Sequence, residues 1–188
     1  MQTTTAGLLL AAGAGRRYGM PKALVDHHGR LLVERGLTTL AAGGCEPLVV
    51  VLGAAADRVR ACADLAGARV VVNRDWAGGM GSSLRAGLAA LAHTPAGAVA
   101  VLQLDTPGIT ADAVRRVLTR AGPDALVVAG YHGAPGHPVL LGRAHWAGVA
   151  ALAVGDTGAR PYLLSRQAQV VTVPCDDIAD GTDLDRPR

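Results

Sequence analysis

At 188 residues and 19.0 kDa, with 50% hydrophobic residues, the chain is long enough to bury one sizeable core, and we expect a single domain over residues 1–188. Eighteen Lys and Arg residues against fifteen Asp and Glu residues give a net charge of +3 without a basic tract, which argues against a nucleic-acid partner. Cys45, Cys62 and Cys175 are widely spaced and form no metal-binding pattern, which is typical of reduced thiols in a cytoplasmic protein. The N-terminal apolar run is too short to span a bilayer, so we expect no membrane partner.

The first element of the chain is an apolar run, residues 8–12, that predicts a buried strand and ends at a glycine-rich loop. Glycine permits positive φ and close approach of the backbone, so the amides of such a loop can surround an anion. The loop also carries cations that would compensate the charge of a phosphate. Its glycines are Gly13, Gly15 and Gly19, and its cations are Arg16, Arg17 and Lys22.

Two common phosphate loops do not fit this spacing. The P-loop has four residues between its glycines and a Ser or Thr after its lysine, whereas here three residues separate Gly15 from Gly19 and Ala23 follows Lys22. The dinucleotide fingerprint needs a narrower glycine spacing and an acidic residue after the second strand, where this chain has Gly53. The sequence therefore excludes both loops.

Downstream, continuous apolar segments alternate with segments of helical periodicity. Strands are predicted at 47–52, 68–72, 96–104, 125–129 and 169–173, and helices at 31–40, 54–65, 82–91, 112–120 and 144–152. Because such an alternation forms parallel sheets covered on both faces, we predict an α/β fold of the Rossmann-like, three-layer α/β/α type. The turn-rich segment 130–138 predicts a small antiparallel excursion from this mostly parallel sheet.

Several polar segments follow predicted strands, and ligands bind beyond the carboxyl ends of the strands in parallel sheets. Asp105 comes directly after the strand 96–104, where a carboxylate can hold Mg²⁺ together with substrate phosphates. The alternative is an aspartate that caps the next helix or closes a turn. Residues 73–83 fit either the edge of a bound base or a glycine turn with a helix cap.

Taken in order, the motifs resemble those of one family. LAAGAGRRYGMPK is similar to the LAAGxGxRxGxPK signature of the MobA-like NTP transferase family, and DTPGIT is similar to its DxPxIT element. NRDWAGGMGSSLRAGL, GHPVLL and GDTGAR resemble elements of its molybdenum cofactor cytidylyltransferase (MocA-like) branch, with Arg74 in place of a proline. The terminal DLDRPR resembles the DIDTPED ending of the family, with Arg186 in place of threonine and without the following acid.

The resemblance implies a Mg²⁺-dependent nucleotidyltransferase that moves CMP from CTP to the phosphate of molybdopterin and releases pyrophosphate. It implies catalytic roles for Arg17, Lys22 and Asp105, with Asp105 and Asp185 as metal ligands. The nucleotide-binding residues that it implies are Leu10, Ala11, Ala12, Gly13, Gly15, Arg16, Arg17, Lys22, Asn73, Gly79, Ser82 and Ser83. We assign His137, Asp156 and Arg160 to the second substrate; the alternatives are a structural histidine before Pro138 and a local ion pair between Asp156 and Arg160. The product would pass to a molybdoenzyme.

Other functions fit the same motifs. Ala11-Ala12-Gly13 resembles the cytidylyltransferase form of the first motif, so CTP is preferred and GTP, the substrate of a guanylyltransferase, is the alternative. The acceptor can also be another phosphorylated small molecule, such as a sugar phosphate or a polyol phosphate. A non-catalytic nucleotide- or cofactor-binding chaperone is the alternative from another class, and the altered tail at Arg186 favours it. A solvated acidic tail is the alternative to metal ligation by Asp185.

Overall fold

The structure, a computed structural model, describes residues 4–65 and 67–184. Within these residues, seven strands form one sheet in the order β3-β2-β1-β4-β6-β5-β7. The strands are β1 (Thr5–Ala11), β2 (Leu48–Leu52), β3 (Ala68–Val72), β4 (Ala98–Gln103), β5 (Leu126–Tyr131), β6 (Ala134–Gly142) and β7 (Val171–Pro174). The inner strand β1 is buried along its whole length, as its continuous apolar sequence predicts.

The helices follow the predicted alternation. They are α1 (Leu32–Ala42), α2 (Ala56–Cys62), α3 (Met80–Leu91), α4 (Ala111–Leu118), α5 (Trp146–Leu152) and α6 (Arg160–Ser165). Short 3-10 helices are described at Lys22–Leu24, Trp76–Gly78, Arg143–His145 and Gln167–Gln169. The prediction omitted α6, a six-residue helix whose first turn contains Pro161, because its short sequence lacks a full helical repeat of apolar residues.

The antiparallel excursion is the hairpin of β5 and β6. Strand β6 pairs antiparallel with β4 on one side and with β5 on the other, while β1, β2, β3 and β4 pair in parallel and β7 runs parallel to β5. Because β6 inserts between β4 and β5, its second half pairs with β4, from Val139 beside Val101 to Gly142 beside Ala98. The mostly parallel sheet with a small antiparallel part is confirmed.

Two apolar clusters cover the two faces of the sheet. Leu9 of β1 belongs to the cluster that includes α1 and α4, whereas Leu8 and Leu10 belong to the cluster that includes α3 and α5. Since successive side chains of a strand point to opposite faces, β1 contributes to both clusters. This arrangement is the predicted three-layer α/β/α architecture. Within the described residues, no helix combines the length and the apolar character that crossing a bilayer requires.

Candidate functional site

A cavity of about 430 Å³ opens beyond the carboxyl ends of the central strands. Three segments form most of its lining: the loop after β1, the start of α3, and the end of β4. The residues of the lining are Leu10, Ala11, Ala12, Gly13, Ala14, Gly15, Arg16, Arg17, Lys22, Trp76, Ala77, Gly79, Met80, Ser83, Gln103, Leu104, Asp105 and Asp156. The cavity thus brings together the predicted phosphate loop and the predicted metal ligand Asp105.

The loop after β1 turns sharply at Gly15. This residue has φ of +63°, and a Cβ atom built on it would lie 1.9 Å from the carbonyl oxygen of Met20, so only glycine fits the position. The Gly15 carbonyl oxygen accepts hydrogen bonds from the amides of Tyr18 and Gly19, both at 2.9 Å, which close the turn. Arg16 and Arg17 are exposed, and the cations of the described lining are these two arginines and Lys22. The loop therefore lines one side of the cavity with positive charge, which suits phosphate oxygens.

Asp105 lies on the same cavity, at the carboxyl end of β4. Its side chain is half-buried, and one of its carboxylate oxygens, Oδ1, is fully buried. The N-cap of the next helix is Thr110, whose hydroxyl oxygen accepts from the amide of Ala113 at 3.2 Å. Thr110, and not Asp105, therefore caps that helix, and Asp105 lines the cavity that Lys22 also lines.

Asn73 and Ser82 lie behind the α3 side of the cavity and do not line it. The Nδ2 group of Asn73 donates to Ser82 Oγ at 2.8 Å and to Ser83 Oγ at 3.0 Å, and its Oδ1 accepts from the amide of Asp75 at 3.0 Å. Asn73 is only 7% exposed. Of the nucleotide-binding residues predicted in this segment, Gly79 and Ser83 therefore line the cavity, while Asn73 and Ser82 support it from within the protein.

The sequence pattern of the MobA-like NTP transferase domain matches residues 7–176. The chain belongs to the MobA-like NTP transferase family. The match covers the loop after β1, the start of α3 and Asp105, which meet at the cavity.

Relatives with known names and structures agree with this membership. The chain is 42% identical over 187 residues to nicotine blue oxidoreductase from Paenarthrobacter nicotinovorans, covering 95% of this chain and 91% of that protein. The crystal structure of the Mycobacterium tuberculosis Rv0371c homologue from Mycobacterium sp. strain JC1 has a TM-score of 0.81 at 27% identity, covering 99% of this chain and 92% of that one. The complex of Rv0371c from M. tuberculosis H37Rv with manganese has a TM-score of 0.79 at 29% identity, covering 93% and 89%. These similarities fit the MocA-like branch of the MobA-like family.

Asp156, predicted to contact the second substrate, lines the same cavity as the phosphate loop. Its Oδ1 accepts from the amide of Met80 at 3.3 Å, at the first residue of α3. The neighbouring Gly155 carbonyl oxygen accepts from the amide of Gly81 at 2.7 Å. The loop before α6 is thus fastened to the start of α3, and Asp156 lines the same cavity as Gly79 and Ser83, which are predicted to bind the nucleotide.

His137 and Arg160, the other predicted second-substrate residues, do not line the cavity. Arg160 is exposed at the start of α6. His137 is half-buried on β6, and its carbonyl oxygen accepts from the Tyr131 hydroxyl at 2.8 Å. Burial lowers the pKa of the His137 imidazole to about 4, although the nearby Asp183 acts in the opposite direction. The His137 ring is therefore neutral at pH 7.

The tail is packed as far as Leu184. The amide of Leu184 donates to the carbonyl oxygen of Asp105 at 2.6 Å, and its side chain is only 8% exposed. The amide of Asp180 donates to the carbonyl oxygen of Gly108 at 3.2 Å. Asp185, the second predicted metal ligand, and Arg186 lie outside the described residues. The chain nevertheless reaches the Asp105 loop at the residue before Asp185.

The donor set of the described site fits a magnesium ion. Among residues 4–65 and 67–184, no group of three or more His, Cys, Asp or Glu side chains is placed to hold a metal ion. Magnesium does not need such a cage, since it keeps several waters and binds through one or two carboxylates and substrate phosphates. Asp105 beside the predicted phosphate loop is an arrangement of this kind.

The sequence reasoning missed several residues of the lining: Ala14, Trp76, Ala77, Met80, Gln103 and Leu104. Gln103 and Leu104 could have been found, because they directly precede Asp105 at the end of a strand. Trp76 and Met80 lie on either side of Gly78 and Gly79, in the segment 73–83 that the sequence predicts to contact the nucleotide. Gln103 Nε2 lies 2.8 Å from Met80 Sδ. This contact joins the end of β4 to the start of α3, and no sequence pattern predicts it.

Proposed function

We propose that this chain, as one nucleotidyltransferase domain over residues 1–188, transfers CMP from CTP to the phosphate of molybdopterin and releases pyrophosphate. The observation that carries the proposal is the shared cavity of Lys22, Asp105 and the cationic loop after β1. Membership of the MobA-like family and the similarity to the MocA-like branch support the same class of reaction.

The proposed reaction needs no covalent intermediate with the protein, because the phosphate of the acceptor is itself the nucleophile. The protein then contributes alignment of the two substrates and neutralisation of charge at the α-phosphorus. We assign the β- and γ-phosphates to Arg17 and the loop amides, and the α-phosphate to Lys22. Lys22 would stabilise the charge that accumulates on the α-phosphate as the leaving pyrophosphate departs.

Asp105 and Asp185 are the proposed ligands of the metal ion. When bound, Mg²⁺ would offset phosphate charge and help to orient the triphosphate. The manganese complex of Rv0371c supports a divalent cation in a related protein, and the hard carboxylate oxygen of Asp105 is a suitable ligand for either ion.

The nucleobase and the acceptor are the finer parts of the proposal. Ala11 and Ala12 resemble the form of the first motif found in cytidylyltransferases, so CTP is the proposed nucleotide and GTP is the alternative. We assign molybdopterin to the side of Asp156, with His137 and Arg160 as further candidates, and a molybdoenzyme as the recipient of the product. The three cysteines are free thiols, which supports the proposed cytoplasmic location.

Two measurements test the proposal. Thermal denaturation with each of the four nucleoside triphosphates, with and without Mg²⁺, is expected to give the largest stabilisation with CTP and Mg²⁺. Pyrophosphate release is then measured with CTP, Mg²⁺ and molybdopterin, and with a sugar phosphate as the alternative acceptor. Binding of CTP without pyrophosphate release from any acceptor would favour the non-catalytic chaperone instead.

An oxidoreductase is the second candidate function, and the name of the relative that is 42% identical favours it. Such a reaction needs a reductant, and the phosphates of a dinucleotide would suit the same cationic loop. The glycine spacing of this loop and the absence of an acidic residue at Leu52-Gly53 argue against a dinucleotide. Titration calorimetry with NADH, NADPH and CTP separates the two. Binding of a reduced dinucleotide, with no binding of any triphosphate, would replace the transferase proposal.

A further inference from the structure

A second cavity, of about 390 Å³, lies beside α1. Its volume is within the range of small-molecule pockets, about 300 to 1,000 Å³. It shares no lining residue with the larger cavity that Lys22 and Asp105 line. One side of its lining comes from α1, and the rest comes from the turn before α1, the first residue of β2 and the loop after α2. The proposed transferase reaction does not use this second cavity.

The apolar part of this lining comes from residues that pack on the core. Leu37 is 5% exposed and belongs to the apolar cluster of α1 and α4, and the half-buried Leu48 packs against that cluster. Ala41 and Ala42 lie about one turn of α1 after Leu37 and are exposed, so their short side chains leave the cavity open. The cavity therefore offers a surface on which an apolar group of a ligand can pack.

Arg30 and Glu34 place opposite charges on the same cavity. The Arg30 Nη1 group donates to the Thr38 hydroxyl at 3.4 Å. The two oxygens of Glu34 accept from backbone amides, Oε1 from Asp64 at 2.9 Å and Oε2 from Leu31 at 3.3 Å, so the carboxylate is held in place. Across the described part of the chain, neither Arg30 nor Glu34 forms an ion pair. Because a guanidinium group has several N–H donors and a carboxylate has several lone pairs, both groups keep capacity for a ligand.

The carboxylate of Asp64 also belongs to this lining. The described lining thus has two carboxylates and one guanidinium group, whereas the cations of the larger cavity are gathered on one loop. A simple anion such as phosphate suits the larger cavity and is disfavoured beside two carboxylates. A ligand that carries an ammonium group as well as a carboxylate complements both signs of charge.

We propose that the cavity beside α1 binds a free α-amino acid with an apolar side chain. The amino-acid carboxylate pairs with Arg30 and accepts a second hydrogen bond from the Thr38 hydroxyl, whose oxygen already accepts from Arg30. The ammonium group pairs with Glu34, and the side chain packs on Leu37 and Leu48. Each part of the ligand thus meets a group that matches it chemically. This inference is independent of the transferase proposal.

Titration calorimetry of the full chain with L-leucine tests this site. Two analogues each remove one charge of leucine: 4-methylpentanoate lacks the ammonium group, and 3-methylbutylamine lacks the carboxylate. The wild-type protein should bind leucine, and each analogue should bind at least about tenfold more weakly, because its contact with one charged side chain is lost. Glycine keeps both charges but lacks the apolar side chain, so it should also bind about tenfold more weakly than leucine.

Arg30→Gln gives a result that general damage to the protein would not produce. The variant removes the partner of the ligand carboxylate, so leucine affinity should fall about tenfold. The affinity for 3-methylbutylamine should stay at the wild-type value, because this ligand has no carboxylate. Glu34→Gln should show the opposite pattern, with 4-methylpentanoate unaffected, and Arg30→Gln still tests the proposal if that variant fails to fold. Arg58→Gln is the control: Arg58 is exposed on α2 and does not line the cavity, so leucine affinity should change by less than about twofold.

Three results would overturn the inference. They are absence of leucine binding to the wild type, equal binding of leucine and its two charge-deficient analogues, and an equal loss of leucine and 3-methylbutylamine binding in Arg30→Gln. Saturating CTP should leave leucine affinity unchanged, since the two cavities share no residue. Displacement of leucine by CTP would assign leucine to the larger cavity and also overturn the inference. A protein that bound leucine but no triphosphate would lose the proposed transferase function and keep this second site.

Discussion

Lys22 is the only lysine in the sequence, whereas the other seventeen basic residues are arginines. The single lysine lies in the loop that lines the cavity, and the same loop also carries Arg16 and Arg17. The two side chains differ chemically: the ammonium group is a compact, strongly hydrated charge, and the guanidinium group is a flat fork of donors. A contact with a single phosphate oxygen suits the compact ammonium group of lysine. This supports the role proposed for Lys22 at the α-phosphate.

The first prediction concerns this side chain. Lys22→Ala should lower the turnover number at saturating CTP and Mg²⁺ by about 100-fold, because charge stabilisation in the transition state is lost. CTP affinity should fall much less, since Arg17 and the loop amides still hold the other phosphates. Pyrophosphate release gives the turnover number, and titration calorimetry gives the affinity.

Lys22→Arg is the matched control for Lys22→Ala, since it keeps the positive charge and changes its shape. We expect turnover between those of the wild type and the alanine variant. Equal turnover in all three proteins would contradict a role of Lys22 at the reacting phosphate. Because Lys22 is the only lysine, ¹³C-methylation of the protein also labels one side-chain ammonium, and addition of CTP should move its NMR signal.

A second prediction follows from the lowered pKa of His137. The folded protein protonates this ring only near pH 4, whereas the unfolded chain does so near its ordinary value of 6.5. Between these values the unfolded state binds more protons, so stability is full above pH 6.5 and falls as the pH drops toward 4. The expected loss from this group is about 2 kcal/mol, less than the full shift implies because the residue is half-buried.

Urea unfolding of the wild type and of His137→Gln at pH 7 and pH 4.5 measures this loss. Glutamine does not titrate, so the variant should lose less unfolding free energy over this range than the wild type. The difference between the two proteins isolates His137 from the carboxylates, which titrate in both. Equal losses would show that the ring does not titrate as burial predicts.

At the scale of single elements, the start of α3 depends on close backbone contact with the loop before α6. A Cβ atom built on Gly81 would lie 2.5 Å from the carbonyl oxygen of Ala153, and the amide of Gly81 donates to Gly155. The two loops can meet only because this position of the helix has no side chain. The contact also brings Asp156 to the cavity.

The third prediction tests this contact with two glycines that are close in sequence. Gly81→Ala should lower the unfolding free energy by about 2 kcal/mol, because the added methyl group pushes the backbone of Ala153 away. Gly78→Ala is the control: a Cβ atom there meets nothing within 4 Å, so the change should stay within about 0.5 kcal/mol. Urea unfolding measures both, and equal effects would show that the gap at Gly81 is not needed.

The same elements show what the sequence can predict. Strand β1 and its loop were predicted because a buried parallel strand is continuously apolar and because a phosphate loop must combine glycine with cations. The position of Asp105 was predicted because the carboxyl ends of parallel strands share one edge. These properties depend on a residue and its neighbours in the sequence, so a single sequence reveals them.

The role of Asn73 and the place of Asp156 depend on contacts that the sequence does not display. The sequence predicts that Asn73 binds the nucleotide, and in the structure its side-chain amide pairs with the Asp75 amide and the two serine hydroxyls. This pairing exists only once the turn has formed. Asp156 meets Met80 across 76 residues of sequence. Long-range pairs of this kind leave no periodicity, so pattern reasoning gives the residue types of the site and not their partners.

At the scale of the whole molecule, the C-terminal strap, defined as residues 175–184, runs from the end of β7 to the loop after β4. Its backbone carbonyl at Ile178 accepts from the Thr110 hydroxyl at 3.0 Å, and Asp177 forms an ion pair with Arg116 at 2.6 Å. Leu184 ends the strap with its side chain in the same apolar cluster as α1 and α4. The strap thus ties an edge strand of the sheet to the predicted metal ligand, and it carries the chain to Asp185.

The last prediction is that Leu184 couples packing of the tail to metal binding. Leu184→Ala removes the buried anchor of the C-terminal strap, so the unfolding free energy should fall by about 2 kcal/mol. Mn²⁺ affinity in the presence of CTP should fall about fivefold, because the backbone of Leu184, the residue before the proposed ligand Asp185, is then held less firmly against Asp105. Electron paramagnetic resonance of free Mn²⁺ gives the affinity, and urea unfolding gives the stability.

Leu164→Ala is the control for Leu184→Ala, since Leu164 is 61% exposed on α6 and should change neither quantity. Asp185→Asn should weaken Mn²⁺ binding without the loss of stability, because it removes a ligand and leaves the anchor in place. If Leu184→Ala lost stability but bound Mn²⁺ as tightly as the wild type, the strap would serve only to close the core. Metal binding would then depend on Asp105 and the substrate phosphates alone. The departure from the family pattern at Arg186 would be explained by a C-terminal tail that does not bind the metal ion.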